Sequence, residues 1–115
     1  MHEISALCKA RNIPFHVDAT QWVGKAPTDV STGWCDVMTF SSHKFHGPKG
    51  VGMVWINRGA RIKPCIAGQQ ELGRRGGTEN VPGIVGAGVA AAECQAWLAD
   101  PANVARAEAI RDDFE

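Results

Sequence analysis

Five polar residues that could carry chemistry stand just after two apolar segments of the chain: Asp18, Gln21, Ser41, His43 and Lys44. A lysine amine can form an imine, a carboxylate can pair with a protonated ring nitrogen, and an amide can donate to a phenolate oxygen. A serine hydroxyl and an imidazole N–H can donate to a phosphate. Together these groups are the ones that a pyridoxal 5'-phosphate site requires, with the lysine as the covalent anchor.

Each of these residues also has an ordinary structural interpretation. Aspartate and glutamine after a strand commonly serve turns, and a lysine before GPKG is commonly a solvated charge. A shared site is favoured by the spacing, because Asp18 lies near the end of one predicted strand and Lys44 just past the end of the next. Adjacent parallel strands bring their carboxyl ends into one crevice, so both side chains would face it.

The segments around these residues predict a mixed α/β order. Apolar residues at helical spacing indicate a short helix within residues 1–11, and alternation over 13–19 indicates a strand with Asp18 on its polar face. Residues 35–40 and 51–56 predict two further strands. The short glycine- and proline-containing turn between these two strands suits an antiparallel hairpin.

The remaining segments predict a loop and two longer helices. A short helical turn is expected at 29–32, and the glycines, prolines and charges of 58–78 favour a long loop. Thr78 is a candidate N-cap for a small-residue helix that runs to about Ala99, and an amphipathic helix follows Pro101. No capping glycine or proline closes that last helix, so we expect the sequence to be part of a longer chain.

The composition is that of a folded globular unit, with 44% hydrophobic and 21% charged residues among 115. Twelve basic residues balance twelve acidic ones, so no overall charge favours nucleic acid or an anionic membrane. The N-terminus lacks the pattern of a signal peptide, and a cytoplasmic location is expected. Proline, glycine and polar residues interrupt the apolar run from Val81 to Leu98, which predicts a poor membrane span. The four cysteines have no close spacing and are expected to be free thiols.

Two other kinds of site have partial support in the sequence. His16-x-Asp18 and His43-x-x-His46 offer ligands for a metal enzyme, but no third set follows at a suitable spacing. GAGVAA, which begins at Gly86, fits the dinucleotide fingerprint. It lies inside a small-residue helix rather than between a strand and a helix, so close helix packing explains it better.

Three consecutive segments resemble signature segments of a known family. FHVDATQWVGK, DVMTFSSHKFHGPKGVGMVW and GQQELGRRGGTENVPGIVGAG are similar, in this order, to segments of the cysteine desulfurases, nearest to the NifS-like branch of the class V aminotransferases. The resemblance covers nearly the whole chain. It implies an α/β fold of the fold-type I class, which is aspartate-aminotransferase-like. Residues 1–115 would be the central part of the large pyridoxal-phosphate-binding domain, with the N-terminal part and the C-terminal small domain outside this sequence.

The resemblance also implies roles for individual residues. It places the acid that faces the pyridine nitrogen at Asp18, the phenolate donor at Gln21 and the Schiff-base lysine at Lys44. Phosphate ligands fall on Ser41 and His43. These positions agree with the chemical interpretation of the same residues.

A further phosphate ligand is implied for the neighbouring subunit. RRGGTEN resembles the stretch by which one subunit of the family's homodimer supplies a threonine to its neighbour's cofactor phosphate. Thr78 would then act in trans, and helix capping is the alternative interpretation of the same residue.

The implied activity is that of a pyridoxal-phosphate-dependent cysteine desulfurase. L-Cysteine would be converted to L-alanine, and the sulfur would pass through an enzyme persulfide to an acceptor such as an iron–sulfur scaffold. The family's persulfide-forming cysteine, its ring-stacking histidine and its carboxylate-binding arginine have no counterpart in this sequence, and none of the four cysteines is assigned the nucleophilic role. A related class V aminotransferase, a selenocysteine lyase and a truncated chain without activity of its own are the alternatives.

Overall fold

The computed structural model describes residues 1–114, which form a three-stranded sheet and four α-helices. The strands are β1 (His16–Asp18), β2 (Val37–Ser41) and β3 (Gly52–Ile56). The helices are α1 (His2–Ala10), α2 (Gln70–Gly73), α3 (Val81–Leu98) and α4 (Pro101–Phe114), and a 3₁₀ turn covers Ser42–Phe45. The mixed α/β order predicted from the sequence is confirmed.

The sheet has β2 at its centre, with β1 parallel to it and β3 antiparallel. Thr39 is paired with Asp18 on one side and with Val54 on the other. Both the parallel pair and the hairpin therefore form as predicted. The carboxyl ends of β1 and β2 lie at the same edge, as parallel pairing requires.

The core lies on one face of the sheet. Its buried residues form two clusters, Val17, Ala19, Cys35 and Met38 beneath the strands, and Phe45, Ala90 and Cys94 between the 3₁₀ turn and α3. Alternate residues of a strand point to opposite faces. His16 and Asp18 consequently lie exposed on the other face of the sheet while Val17 is buried.

The first two strands differ in their bounds from the sequence prediction. Residues 13–15 lie outside β1. The carbonyl of Phe15 still accepts from the N–H of Val37 at 3.3 Å, but its backbone N–H donates to Oδ2 of Asp36 at 2.8 Å and not to a strand carbonyl. β2 begins two residues later than expected, at Val37. It continues to Ser41 because this residue still pairs with Gly52 of β3.

The prediction of a helical turn at 29–32 is wrong. The Asp29 carboxylate accepts a hydrogen bond from the backbone N–H of Ser31 at 2.8 Å, which closes a side-chain turn in place of a helical one. The indole N–H of Trp34 then donates to the carbonyl of Asp29 at 2.7 Å and holds this turn in place. The loop predicted at 58–78 is irregular apart from the short α2 and a β-bridge between Gln70 and Arg75, and within α2 both Glu71 and Leu72 have positive φ.

The long helix α3 starts later than the sequence predicts, and Asn80 rather than Thr78 is its N-cap. The side-chain oxygen of Asn80 accepts a hydrogen bond from the backbone N–H of Gly83 at 3.2 Å. By length and composition α3 is apolar enough to cross a membrane, which differs from the expected poor span. Its buried residues, Gly83, Ala87, Ala90 and Cys94, face the rest of the fold.

Candidate cofactor site

The strand register places Asp18, Ser41 and the turn that carries Lys44 at one edge of the sheet. Asp18 ends β1 beside Thr39, and the backbone N–H of Ala19 donates to the carbonyl of Thr39 at 2.8 Å. Ser41 ends β2, and the 3₁₀ turn that follows immediately carries His43 and Lys44. A carboxylate and an amine that are far apart in sequence therefore follow adjacent parallel strand ends, as expected.

Asp18 is held in its ionised form by its own turn. The Asp18 carboxylate accepts a hydrogen bond from the backbone N–H of Thr20 at 2.9 Å. The hydroxyl and the backbone N–H of Thr20 lower the pKa of Asp18 below its ordinary value, desolvation opposes them, and the charge of His16 adds to them. An exposed, ionised carboxylate at a strand end is the form that can pair with a protonated ring nitrogen.

Gln21 is oriented by a neighbouring lysine. The amine of Lys25 donates to Oε1 of Gln21 at 2.9 Å, so the amide oxygen is already engaged. The amide NH₂ is therefore left as the group that can donate to another oxygen. A donor to a phenolate oxygen needs a free N–H group of this kind.

The 3₁₀ turn separates its residues into an inner and an outer pair. Ser42 is fully buried and Phe45 is 2% exposed, whereas His43 is exposed and Lys44 is half-buried. With three residues per turn, positions 42 and 45 lie on the same side of a 3₁₀ helix. The two residues between them are thus directed away from the core.

Ser42 is a residue that the sequence interpretation missed. Its hydroxyl donates to the carbonyl of Pro48 and lies 3.3 Å from the carbonyl of Val51, while its backbone N–H donates to Val51 at 3.2 Å. The backbone N–H of Gly47 in turn donates to the carbonyl of Ser42 at 2.9 Å. These bonds tie the turn that carries Lys44 to the start of β3. A buried serine beside a lysine gives no distinctive signal in the sequence.

Thr78 lies apart from the other predicted residues. It lines a groove of about 880 Å³ between β3 and α3, together with Val54, Arg75 and Ile84. No hydrogen bond within residues 1–114 joins it to Ser41, His43 or Lys44. Since Asn80 caps α3, the capping interpretation of Thr78 is wrong.

The metal alternative has no assembled ligand set in the described part of the chain. Among residues 1–114, no three histidine, cysteine, aspartate or glutamate side chains come together as a metal-binding group. The ring of His16 is instead hydrogen-bonded through Nε2 to the hydroxyl of Thr39 at 3.0 Å. All four cysteines are free thiols, as predicted.

Comparison with known proteins points to one family. The sequence model described as aminotransferase class-V matches residues 1–111. The chain is 46% identical over 116 residues to cysteine desulfurase 2 of Trichormus variabilis, covering 100% of this chain and 28% of that protein. It is 47% identical over 115 residues to a cysteine desulfurase of Gluconacetobacter diazotrophicus, covering 99% of this chain and 26% of that protein.

Solved structures of the same family have a similar fold. A NifS-like protein superposes with a TM-score of 0.79 at 44% identity, covering 85% of this chain and 28% of its own. The structure described as SspA in complex with cysteine superposes with a TM-score of 0.72 at 41% identity, covering 79% of this chain and 27% of its own. The chain thus spans about a quarter of the length of the relatives it matches. The fold is the fold-type I class that the sequence predicted, and this chain belongs to the class V aminotransferase family.

Proposed function

We propose that this chain is the cofactor-anchoring part of a pyridoxal-phosphate-dependent cysteine desulfurase. The observation that carries the proposal is the parallel pairing of β1 and β2, which brings the Asp18 carboxylate and the turn with Lys44 to one edge of the sheet. The names of the similar proteins support the choice of cysteine as the substrate. Related aminotransferases and selenocysteine lyases would use the same anchoring residues.

The donor set at this edge fits pyridoxal phosphate. Asp18 supplies an ionised carboxylate for the ring nitrogen, because Thr20 lowers its pKa. Gln21 has its amide oxygen engaged by Lys25 and its NH₂ left to donate to the phenolate oxygen. Within residues 1–114 no ion pair ties Lys44 to a carboxylate, so its amine is available as the covalent anchor.

The phosphate group would be held by donors that surround the 3₁₀ turn. Ser41 offers a hydroxyl at the end of β2, and His43 offers an exposed ring N–H. Thr78, which makes no hydrogen bond to these two, would reach the phosphate of a second subunit in a homodimer. The resemblance of RRGGTEN to the family's threonine segment supports this role, and Thr78 is not occupied as the N-cap of α3.

When bound, pyridoxal phosphate supplies an electron sink for the electron pair left by removal of a proton from the substrate's α-carbon. Asp18 would pair with the protonated ring nitrogen and so would favour the positive charge that this chemistry needs. The amine of Lys44 is the natural base for that proton once it is free. A cysteine thiolate outside this sequence would attack the substrate sulfur and form an S–S bond as the C–S bond breaks. The electron pair of the C–S bond would stay on carbon, which would take up a proton to give alanine, and the persulfide sulfur would pass to an acceptor such as an iron–sulfur scaffold. The proposed compartment is the cytoplasm.

The proposal is tested by locating the cofactor on the chain. Pyridoxal phosphate is added, the adduct is reduced with borohydride, and the modified peptide is identified by mass spectrometry. We expect the label at Lys44, together with a visible absorption band that Lys44→Ala abolishes. Lys49→Ala is the matched control, because Lys49 is an exposed lysine of the same loop. Equal labelling of Lys44 and Lys49, or a band that survives in Lys44→Ala, would reject the assignment.

The substrate is tested separately by offering L-cysteine and L-selenocysteine, each with an oxoacid, to a full-length holoenzyme that contains this segment, and by measuring alanine. Formation of alanine from L-selenocysteine alone would identify a selenocysteine lyase. Amino-group transfer to an oxoacid without release of sulfur would identify an aminotransferase.

A further inference from the structure

We propose that Gly24 and Phe45 form a positioning contact that fixes Gln21 relative to Lys44. Its consequence for the cofactor rests on the proposed function, but the contact itself belongs to this fold. Gln21 and Lys44 lie on different segments, one after β1 and the other after β2. A cofactor held by both would require their separation to be constant.

Gly24 lies directly against the aromatic side chain of Phe45. A Cβ built on Gly24 would overlap Cβ of Phe45, would lie 3.0 Å from its Cγ and would lie 3.4 Å from Sγ of Cys94. The backbone at Gly24 also has a φ of +81°. The absence of a side chain therefore serves both the backbone conformation and the close approach.

Phe45 transmits this contact to Lys44, which precedes it in the 3₁₀ turn. Phe45 is 2% exposed and clusters with Ala90 and Cys94 of α3. The thiol of Cys94 donates to the carbonyl of Phe45 at 3.6 Å. The 3₁₀ turn therefore packs through Phe45 against both α3 and the loop at Gly24.

Gln21 belongs to the same compact loop as Gly24. The backbone N–H groups of Trp22 and Val23 both donate to the carbonyl of Ala19, at 2.9 and 3.0 Å. The amine of Lys25 bonds the Gln21 side chain across this loop. A displacement of Gly24 away from Phe45 would therefore move Gln21 with it.

The substitution Gly24→Ala tests the contact, and Gly50→Ala is its matched control. Gly50 has a φ of +80°, and a Cβ built on it meets no atom within 4 Å. Both substitutions introduce the same backbone strain, but only Gly24→Ala also forces an atom into Phe45. Gly50 is nearer in sequence to the 3₁₀ turn, so strain alone would loosen that turn more in Gly50→Ala than in Gly24→Ala.

The first measurement needs no cofactor. Hydrogen exchange read by mass spectrometry reports the turn through the amide of Gly47, which bonds the carbonyl of Ser42. We expect residues 42–47 to exchange about tenfold faster in Gly24→Ala than in Gly50→Ala, because overpacking displaces side chains from their rotamers. Equal exchange in the two variants, or faster exchange in Gly50→Ala, would overturn the proposed contact.

The second measurement separates positioning from a merely structural role. We expect the Kd for pyridoxal phosphate to rise about tenfold in Gly24→Ala, the size of effect that forced repacking can produce. Gln21→Ala should weaken binding in the otherwise unchanged chain but add less than about twofold in the Gly24→Ala background, because coupled residues are not additive. A full additional effect of Gln21→Ala would overturn the positioning role. Absence of binding by the unchanged chain would reject the proposed function, and the exchange measurement would still decide the contact.

Discussion

Replacement of Asn80 by alanine should destabilise the fold, whereas replacement of Thr78 should not. The Asn80 side chain accepts the hydrogen bond of the Gly83 N–H at 3.2 Å, and Gly83 is buried. Removal of this acceptor leaves an N–H group that water cannot readily reach. Loss of an N-cap typically costs about 1 kcal/mol, which corresponds to a fall in Tm of about 4–8 °C for a domain near this size.

Thermal unfolding followed by circular dichroism would measure this difference. Asn80→Asp is the rescue variant, because an aspartate can accept the same bond and its charge favours a helix N-terminus. We expect its Tm to stay near that of the unchanged chain. A loss of stability in Thr78→Ala equal to that in Asn80→Ala would refute the placement of the cap. It would also remove one reason for assigning Thr78 a role outside its own subunit.

Three further substitutions test a buried thiol and the packing around two glycines. Desolvation by burial, with a contribution from the negative charge of Asp36, raises the pKa of the Cys35 thiol above its ordinary value of 9.0. The folded chain therefore holds this proton more tightly, so the related stability is present below pH 9.0 and is lost as the pH rises through the folded pKa. Urea unfolding at several alkaline pH values should show a shallower loss of stability in Cys35→Ala, and identical slopes would contradict the burial effect. Gly47→Ala should destabilise by about 1–3 kcal/mol, because its Cβ would approach Cβ of Ser42. Gly88→Ala, in a helix with open space around it, should stabilise by up to about 1 kcal/mol, and a Tm ranking in the opposite order would be incompatible with this packing.

The predictable parts of the fold are those set by repeating patterns. Alternation of apolar and polar residues identified both faces of β1, since Val17 is buried while His16 and Asp18 are exposed. The turn before β3 identified the hairpin because few connections of that length are possible. Residues with a distinct reactive group, such as Asp18 and Lys44, could be assigned because their chemistry is visible in the residue type.

The errors come from competition between side chains for the same backbone groups. At 29–32 the Asp29 carboxylate accepts the hydrogen bond of the Ser31 N–H, and the predicted helical turn does not form. At the start of α3 the sequence prediction chose Thr78 as the cap, whereas Asn80, two positions later, accepts the hydrogen bond from the N–H of Gly83. With Asn80 as the cap, Pro82 is one of the first two residues of α3. The fixed φ of proline suits a position at the start of a helix.

The rigidity of the site could not be predicted, because it arises from contacts between distant segments. Gly24 and Phe45 follow different strands, and they are neighbours only in the folded chain. A loop can contain glycine for many structural reasons. The sequence of the loop does not show which neighbouring side chain requires the glycine. The same is true of Ser42, whose acceptors lie six and nine residues away.

The local geometry of the 3₁₀ turn explains why Lys44 can be held in place while it is only half-buried. A single buried side chain would let the turn rotate about its own axis, and the direction of Lys44 would vary. Ser42 and Phe45, three residues apart, lie on the same side of a 3₁₀ helix, where one is fixed by hydrogen bonds and the other by packing. Because two anchors of different kinds fix one side of so short a turn, its opposite side is fixed as well. A lysine placed between them can keep one direction while its amine stays accessible for chemistry.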